Sequence, residues 1–155
     1  MIREFRKEYG FLSNFAECEI DYNGHTYPST EHAFMAQKSD EQVLHGDHPD
    51  KLKWIDWAEY CAISGKSAGD IKREAREVEL RSDWNDVKLQ IMEDVLRIKF
   101  NQEPFKSKLI ATGTQEIQEG NTWKDLYWGV DLKTGVGENH LGKLLMKIRD
   151  EFNTV

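Results

Sequence analysis

The chain has 155 residues, of which 39% are hydrophobic and 32% are charged, a composition typical of one globular domain with a single core. Its formal net charge of -7 excludes a general electrostatic attraction to duplex DNA or to an anionic membrane. The sequence has no apolar leader and no run of about 18 apolar residues, so we expect a cytoplasmic protein without membrane attachment.

A β-hairpin and a helix are the first predicted elements. Asn23 and Gly24 lie between β-favouring residues, and Asn-Gly is the strongest short signal for a hairpin turn. After Pro28, Ser29 or Thr30 can cap a helix that runs to about Lys38. The chain therefore begins with a small hairpin and one short helix.

Helices are predicted for the middle of the chain as well. Asp50 can cap a second helix, and a third covers the stretch from Asp70 to Arg76. The apolar positions of the second helix are Leu52, Ile55 and either Cys61 or Ala62. Ser82 is the predicted N-cap of the longest helix, whose apolar stripe is Val87, Ile91, Val95 and Ile98.

The last third of the chain combines helices with minor β structure. Pro104 starts a short helix in which Leu109 and Ile110 face inward, and Gly113 ends it as a left-handed cap. We predict one or two short strands within residues 116–132. A terminal helix places these apolar residues on one side: Leu141, Leu144, Leu145, Ile148 and Phe152. The fold class is therefore mainly α.

The first helix carries a pair of opposite charges. Glu31 and Lys38 are seven residues apart, which puts a carboxylate and an amine on one helical face. One interpretation is a surface ion pair worth a few tenths of a kcal/mol. The other is a pair drawn into a cleft, where altered proton affinities suit acid-base or covalent chemistry.

Two aromatic segments offer further candidate residues. Arg81 and Trp84 flank the start of the longest helix, where N-H groups attract anions and an indole can stack on a flat ring. A capped helix with a core tryptophan explains the same segment equally well. Trp128 and Asp131 lie on either side of Gly129, and an aspartate that ends a strand is often a turn residue.

The glycine-rich segment 134–143 does not match a dinucleotide fingerprint, because its glycines have the wrong spacing. Asn139 is instead a possible N-cap of the terminal helix. The five histidines show no metal-binding spacing, and Cys18 and Cys61 predict neither a zinc site nor a disulfide framework. We expect no metal and no cofactor.

Five segments together resemble the NADAR family of YbiA-like proteins. In family order they are FLSNF at 11–15, NGHTYPSTEHAFMAQK at 23–38, LRSDW at 80–84, YWGVDL at 127–132 and GVGENHLGKLLMKIR at 135–149. Each motif alone is weak, whereas five in order cover nearly the whole chain. The resemblance implies one NADAR domain over residues 1–155, with a compact, mainly helical fold.

The resemblance also implies an activity, that of an N-glycosidase, which hydrolyses a C-N bond to ribose. It offers two substrates, ADP-ribosylated guanine in nucleic acid and phosphoribosylamino pyrimidine intermediates of riboflavin synthesis. We favour the first, because nothing in the chain ties it to a biosynthetic pathway. The oligomeric state stays open.

Family position assigns site residues within this sequence. Cleavage of a C-N ribosidic bond builds positive charge at the sugar, which a carboxylate stabilises. The implied catalytic residues are Glu31, Lys38 and Asp131, with Lys38 either attacking C1 of the ribose or binding phosphate. The implied substrate-binding residues are Asn14, Phe15, Arg81, Trp84, Trp128, Gly129 and Asn139. Lys72, Arg76 and Arg81 are the predicted basic patch for a phosphorylated substrate.

Two other classes of function compete with the enzyme. A module that binds ADP-ribose or NAD without turnover needs neither two carboxylates nor an amine around C1, and all three groups are present. A protein with only a structural role would show no thermal shift with any ligand.

Overall fold

Short helices dominate the computed structural model, which describes residues 1–154. The helices are α1 (Thr30–Ala36), α2 (Trp57–Ile63), α3 (Ala68–Glu74), α4 (Trp84–Phe100), α5 (Phe105–Ala111) and α6 (His140–Asn153). The strands are β1 (Ile20–Tyr22), β2 (His25–Tyr27), β3 (Gln42–His45), β4 (Lys53–Asp56), β5 (Gly120–Asn121) and β6 (Val130–Asp131). The 3-10 helices are Lys7–Leu12 and Pro49–Lys51. The predicted mainly α fold with minor β structure is confirmed.

The hairpin and the first helix form where the sequence predicts them. β1 and β2 pair antiparallel, and Asn23 and Gly24 turn the chain with φ angles of 47° and 86°. The Ser29 hydroxyl caps α1 by accepting the N-H of His32. The helix ends at Ala36, two residues before the predicted end at Lys38.

The predicted second helix is wrong in its first half. Lys53–Asp56 is strand β4, which pairs antiparallel with β3 so that Leu44 lies opposite Trp54. Only Trp57–Ile63 is helical. The spacing of Leu52 and Ile55 fits either structure, and β3 decides between them because it supplies a ladder of hydrogen bonds that no local pattern reveals.

The C-terminal elements follow the prediction closely. β5 and β6 are the expected short strands and pair in parallel, and Gly113 ends α5 with a φ of 66°. Leu109 is fully buried, whereas Ile110 is 37% exposed, so the prediction for Ile110 is wrong. Successive helical residues differ by about 100° in direction, so a short helix with one contact face buries only one of the two.

The chain divides into two compact units. The central unit is Glu17–Val95, and its most buried residues include Ile20, Tyr27, Ala33, Trp57 and Ile71. The terminal unit is Met1–Ala16 with Leu96–Val155, and its most buried residues include Ile2, Leu12, Phe100, Leu109 and Leu145. Within residues 1–154, no helix has the length and apolarity needed to cross a bilayer.

Candidate functional site

Helix α1 is buried along its whole length, including its polar residues. The side chain of Glu31 is only 6% exposed, which rejects the surface ion pair. Trp57 fixes the end of the helix, because its indole N-H donates to the carbonyl oxygen of Met35 at 2.9 Å. A carboxylate this far from water needs polar or charged partners, so its position favours the interpretation as a functional group.

A hydrogen-bond chain holds the start of α1. The hydroxyl of Ser29 accepts the backbone N-H of His32 at 3.1 Å, and its oxygen lies 2.6 Å from Nδ1 of the same ring. Nε2 of His32 lies 2.8 Å from the carbonyl oxygen of Lys66, which can only accept, so this nitrogen carries a proton. His32 therefore anchors the turn that presents Glu31.

Lys38 lies two residues beyond the end of α1 and beside an indole. Its ammonium is 5.6 Å from the centre of the Trp84 ring, and that ring packs against Phe34 at 5.0 Å between centroids. Burial lowers the pKa of Lys38 from its ordinary value of 10.5, and the Glu31 carboxylate opposes the shift. The structure thus brings Glu31, Lys38 and Trp84 together in the central unit.

Three more cations act on the same amine. After burial, the charges of Lys72, Arg76 and Lys88 also lower the pKa of Lys38. Lys72 and Arg76 belong to the predicted basic patch, and Lys88 is a residue that the sequence analysis missed. The available signal was its position one helical turn after Trp84.

Arg81 is held by its neighbours. Its guanidinium binds the Asp83 carboxylate through two hydrogen bonds of 2.5 and 2.9 Å, and it also donates to the carbonyl oxygen of Gln37 at 3.3 Å. The hydrogen bond from Arg81 lowers the pKa of Asp83. The backbone N-H of Arg81 donates to the carbonyl oxygen of Lys38 at 2.8 Å. Arg81 therefore fastens the segment after α1, and its contact with substrate stays a prediction.

In the terminal unit, Trp128 and Gly129 follow a tight loop. Asn121 closes this loop by accepting the N-H of Asp125 at 3.0 Å and donating to its carbonyl oxygen at 2.9 Å. The Asp125 carboxylate in turn accepts the N-H of Trp128 at 3.0 Å. A Cβ at Gly129 would collide with the backbone and carboxylate oxygens of Glu119, so the position requires glycine.

Asp131 ends strand β6 and closes the following turn. One oxygen of its carboxylate accepts the N-H of Lys133 at 2.7 Å and the N-H of Thr134 at 3.0 Å. Its backbone carbonyl accepts the N-H of Gly135 at 2.7 Å. These contacts explain an aspartate at this position without catalysis, and its catalytic role stays a prediction.

Asn139 is the N-cap residue of α6, as predicted, but its side chain makes no capping hydrogen bond to that helix. The amide instead accepts the N-H of Glu119 at 3.0 Å and donates to the carbonyl oxygen of Ile117 at 2.9 Å. The backbone is left-handed, with a φ of 52°, and its N-H donates to the carbonyl oxygen of Gly129 at 3.2 Å. A side chain turned back onto residues 117–119 cannot also reach the first turn of α6.

Asn14 and Phe15 follow a 3-10 helix in the terminal unit. Asn14 is buried and Phe15 is 48% exposed. The fully buried Lys99 donates from its ammonium to the carbonyl oxygen of Ser13 at 2.8 Å. The hydroxyl of Ser13 accepts the N-H of Phe15 at 3.1 Å. Lys99 thereby fixes the backbone that presents both predicted binding residues.

The predicted site residues divide between the two units. Of the implied catalytic and substrate-binding residues, Glu31, Lys38, Arg81 and Trp84 belong to the central unit, and the others belong to the terminal unit. In residues 1–154, no group of three or more histidine, cysteine, aspartate or glutamate side chains is arranged to hold a metal ion. Cys18 and Cys61 are both buried and unbridged.

Comparison with protein families gives a match over nearly the whole chain. The model described as the NADAR domain matches residues 2–153. In a search of solved structures, the NMR structure of the Escherichia coli protein YbiA superposes with a TM-score of 0.75 and 32% sequence identity. The superposition covers 99% of this chain and 86% of that one.

Comparison with curated proteins gives two kinds of relative. The N-glycosidase YbiA of E. coli strain K12 is 35% identical over 93% of this chain and 82% of its own length. A protein of Vibrio vulnificus, named as a riboflavin biosynthesis protein, is 35% identical over 94% of this chain. This chain spans only 36% of that longer protein. The chloroplastic riboflavin biosynthesis protein PYRR of Arabidopsis thaliana is 36% identical over 68% of this chain and 17% of its own length.

Proposed function

The chain belongs to the NADAR family and is an N-glycosidase, and from this premise we propose that it cleaves the C-N bond between a phosphorylated ribose and a base. The observation that carries the proposal is the buried carboxylate of Glu31 on α1, together with the partly buried amine of Lys38 two residues beyond the end of that helix. We also propose that residues 1–155 act as one domain. The cytoplasmic location stays a prediction.

Glu31 is the proposed electrostatic catalyst. As the C-N bond breaks, positive charge develops at C1 and at the ring oxygen of the ribose. A carboxylate shielded from water stabilises that charge more strongly than an exposed one does, because the surrounding dielectric is low. The burial of Glu31 at 6% exposure supports this role.

Lys38 is the proposed nucleophile. Its lowered pKa increases the fraction of neutral amine, the form that can attack carbon. Nζ forms a bond to C1 as the C1-N bond to the base breaks, and the departing nitrogen takes a proton. The ring oxygen then leaves C1 and takes a proton from the attached amine, which opens the ring and gives a Schiff base between Nζ and C1. Water then hydrolyses the resulting Schiff base, which returns the amine and releases the sugar.

Asp131 is the proposed partner for the leaving nitrogen or the attacking water. Trp84 and Trp128 are the proposed stacking surfaces for flat rings. The remaining proposed contacts with substrate are Asn14, Phe15, Arg81, Gly129 and Asn139. These roles rest on the positions of the residues in the family motifs.

Two substrates contain the required bond. We propose ADP-ribosylated guanine in nucleic acid as the first. The second is a phosphoribosylamino pyrimidine, and a specific observation favours it: relatives that align over most of this chain are named as riboflavin biosynthesis proteins. The net charge of -7 also suits a small substrate better than a nucleic acid.

The test is to incubate the protein separately with ADP-ribosylated guanine DNA and with the pyrimidine, and to measure the released base and sugar by chromatography. We expect release from at least one substrate, and loss of release in Glu31→Gln. Release from neither, together with a thermal shift on adding ADP-ribose, would replace the enzyme with a binding module.

A further inference from the structure

Trp128, in the terminal unit, is held by hydrogen bonds at both of its backbone polar groups. Its N-H donates to the Asp125 carboxylate at 3.0 Å, and its carbonyl oxygen accepts the N-H of Leu141, in the first turn of α6, at 3.0 Å. The Tyr127 ring meets the indole nearly at a right angle, with 4.7 Å between the ring centroids. The fold therefore constrains the direction in which the Trp128 indole points.

Asn121 is the residue that fixes Asp125. Its side chain is 1% exposed, and both polar atoms of its amide are used. Oδ1 accepts the backbone N-H of Asp125 at 3.0 Å, and Nδ2 donates to the carbonyl oxygen of Asp125 at 2.9 Å. Because both contacts are to the backbone of Asp125, they leave its carboxylate available to the N-H of Trp128. One buried amide thus determines where the acceptor for Trp128 lies.

Glu119 orients this amide. Nδ2 of Asn121 also donates to the Glu119 carboxylate at 3.0 Å, which fixes the end of the amide that carries the nitrogen. The backbone of Glu119 is held in turn, because its N-H donates to the Asn139 amide at 3.0 Å and its carbonyl oxygen accepts the N-H of Val130 at 2.9 Å. A Cβ at Gly129 would lie 2.9 Å from Nδ2 of Asn121. The amide therefore lies directly against Gly129, one of the proposed substrate contacts.

We propose that Asn121 and Asp125 are positioning residues, which hold the Trp128 indole in the orientation that stacks on the base of the substrate. The inference rests on the proposed function, in which Trp128 is a stacking surface. Stacking depends on the mutual orientation of the two rings, and a ring that is already held in place loses little freedom when a ligand binds. A role confined to folding would instead weaken the binding of every ligand of this unit alike.

The test observes the Trp128 indole directly. Guanosine and uridine, which are uncharged and carry a base, would be titrated while nuclear magnetic resonance follows the indole N-H signal that disappears in Trp128→Phe. Asn121→Asp keeps the acceptor for the Asp125 N-H, loses both donors and places an oxygen against the Glu119 carboxylate. Its control is Asn101→Asp, the same change at an exposed position of the same unit. We expect Asn121→Asp to weaken nucleoside binding about tenfold, the scale of base-aromatic stacking, and the control to bind as the wild type does.

Ribose 5-phosphate separates positioning from folding and from the added charge, because it is an anion without a base. Its affinity should be the same in Asn121→Asp and in the wild type. Equal losses for the nucleosides and for ribose 5-phosphate would indicate a general loss of structure and overturn the proposal. Asp125→Ala should repeat the loss of nucleoside binding, and Asp125→Asn, which keeps an oxygen for the N-H of Trp128, should not. This second pair of variants decides the question if Asn121→Asp does not fold.

The positioning role and the enzyme activity can fail separately. A Trp128 signal that responds to neither nucleoside in the wild type, or that responds equally in Asn121→Asp, would overturn the positioning role. Release of base by the wild type would then leave the N-glycosidase standing. Weaker nucleoside binding in Asn121→Asp, in a protein that releases no base, would keep the positioning role and remove the enzyme.

Discussion

The ammonium of Lys38 lies 5.6 Å from the centre of the Trp84 ring, although 46 positions separate the two residues in the sequence. The contact joins the segment after α1 to the first turn of α4. It also places the amine against an apolar face, so burial is the largest cause of its lowered pKa. The contact with Trp84 thus belongs to a partly buried amine with a lowered pKa.

The pH dependence of the reaction follows from this shift. Only the neutral amine of Lys38 attacks carbon, and its fraction rises as the pH rises through the lowered pKa. We expect kcat to increase about tenfold per pH unit on the acid side and to level off below the ordinary value of 10.5. Measurement of kcat across the pH range locates the inflection. An inflection at or above 10.5 would contradict the role of the buried amine.

The same shift affects stability. The unfolded chain holds Lys38 at its ordinary pKa, so between the lowered pKa and 10.5 the unfolded state binds more protons than the folded state. The contribution of this residue to the free energy of unfolding therefore increases with pH across that window. It is least favourable below the lowered pKa, where both states carry the charge and the folded state has lost its hydration.

A second prediction concerns the covalent intermediate. Sodium borohydride added during turnover reduces a Schiff base to a stable secondary amine, so mass spectrometry should find the protein heavier by the sugar fragment. The adduct should map to Lys38 and be absent from Lys38→Ala. Glu31→Gln should form less adduct at the same time point, because the C-N bond to the base must break before the Schiff base is formed. Full turnover by Lys38→Ala would reject the covalent route.

The third prediction separates the two roles of Asp131. Asp131→Asn keeps an oxygen that accepts the N-H groups of Lys133 and Thr134, but it removes the charge. We expect its melting temperature to stay close to the wild type and its kcat to fall by about 10²-fold or more. Asp131→Ala should have both a lower melting temperature and a lower kcat, since the turn also loses its hydrogen-bond acceptor. An Asp131→Asn variant with normal kcat would make the residue purely structural.

The parts of the fold that were predicted well from the sequence are determined by short stretches of neighbouring residues. Asn23 and Gly24 specify a hairpin turn by their own conformational preference, and Ser29 caps α1 with its own side chain. The apolar stripe of α6 is likewise contained in one segment, and Leu145 and Ile148 are buried as expected. In each case a few neighbouring residues determine the structure.

The parts of the structure that could not be predicted from the sequence are determined by contacts between residues far apart in the chain. β4 forms because β3 pairs with it, and neither strand has enough apolar alternation to be recognised alone. The Asn139 amide turns toward residues 117–119 rather than to its own helix. The charge of Lys88 matters through its distance from Lys38, which sequence spacing does not give. The family motifs identified most of the candidate residues, but the contacts of those residues could be found only in the folded structure.

The last prediction tests how α1 is held in place. Ser29 and Ser67 are both N-caps, of α1 and α3, and each accepts a backbone N-H at 3.1 Å. Ser29 is 1% exposed and also lies 2.6 Å from the His32 ring, whereas Ser67 is exposed. Replacing either by alanine removes a cap worth about 0.5–2 kcal/mol. Ser29→Ala also leaves a buried ring nitrogen of His32 without its hydrogen-bond partner, which costs about 1–3 kcal/mol more.

Urea unfolding of both variants measures the difference. We expect the free energy of unfolding to fall more in Ser29→Ala than in Ser67→Ala, by about 1–3 kcal/mol. Because His32 follows Glu31 directly, Ser29→Ala should also lower kcat under conditions where it is fully folded, and Ser67→Ala should not. Equal losses of stability in the two variants would mean that the contact with His32 adds nothing to the cap, and α1 would then owe its position to Trp57 and to the burial of its apolar residues.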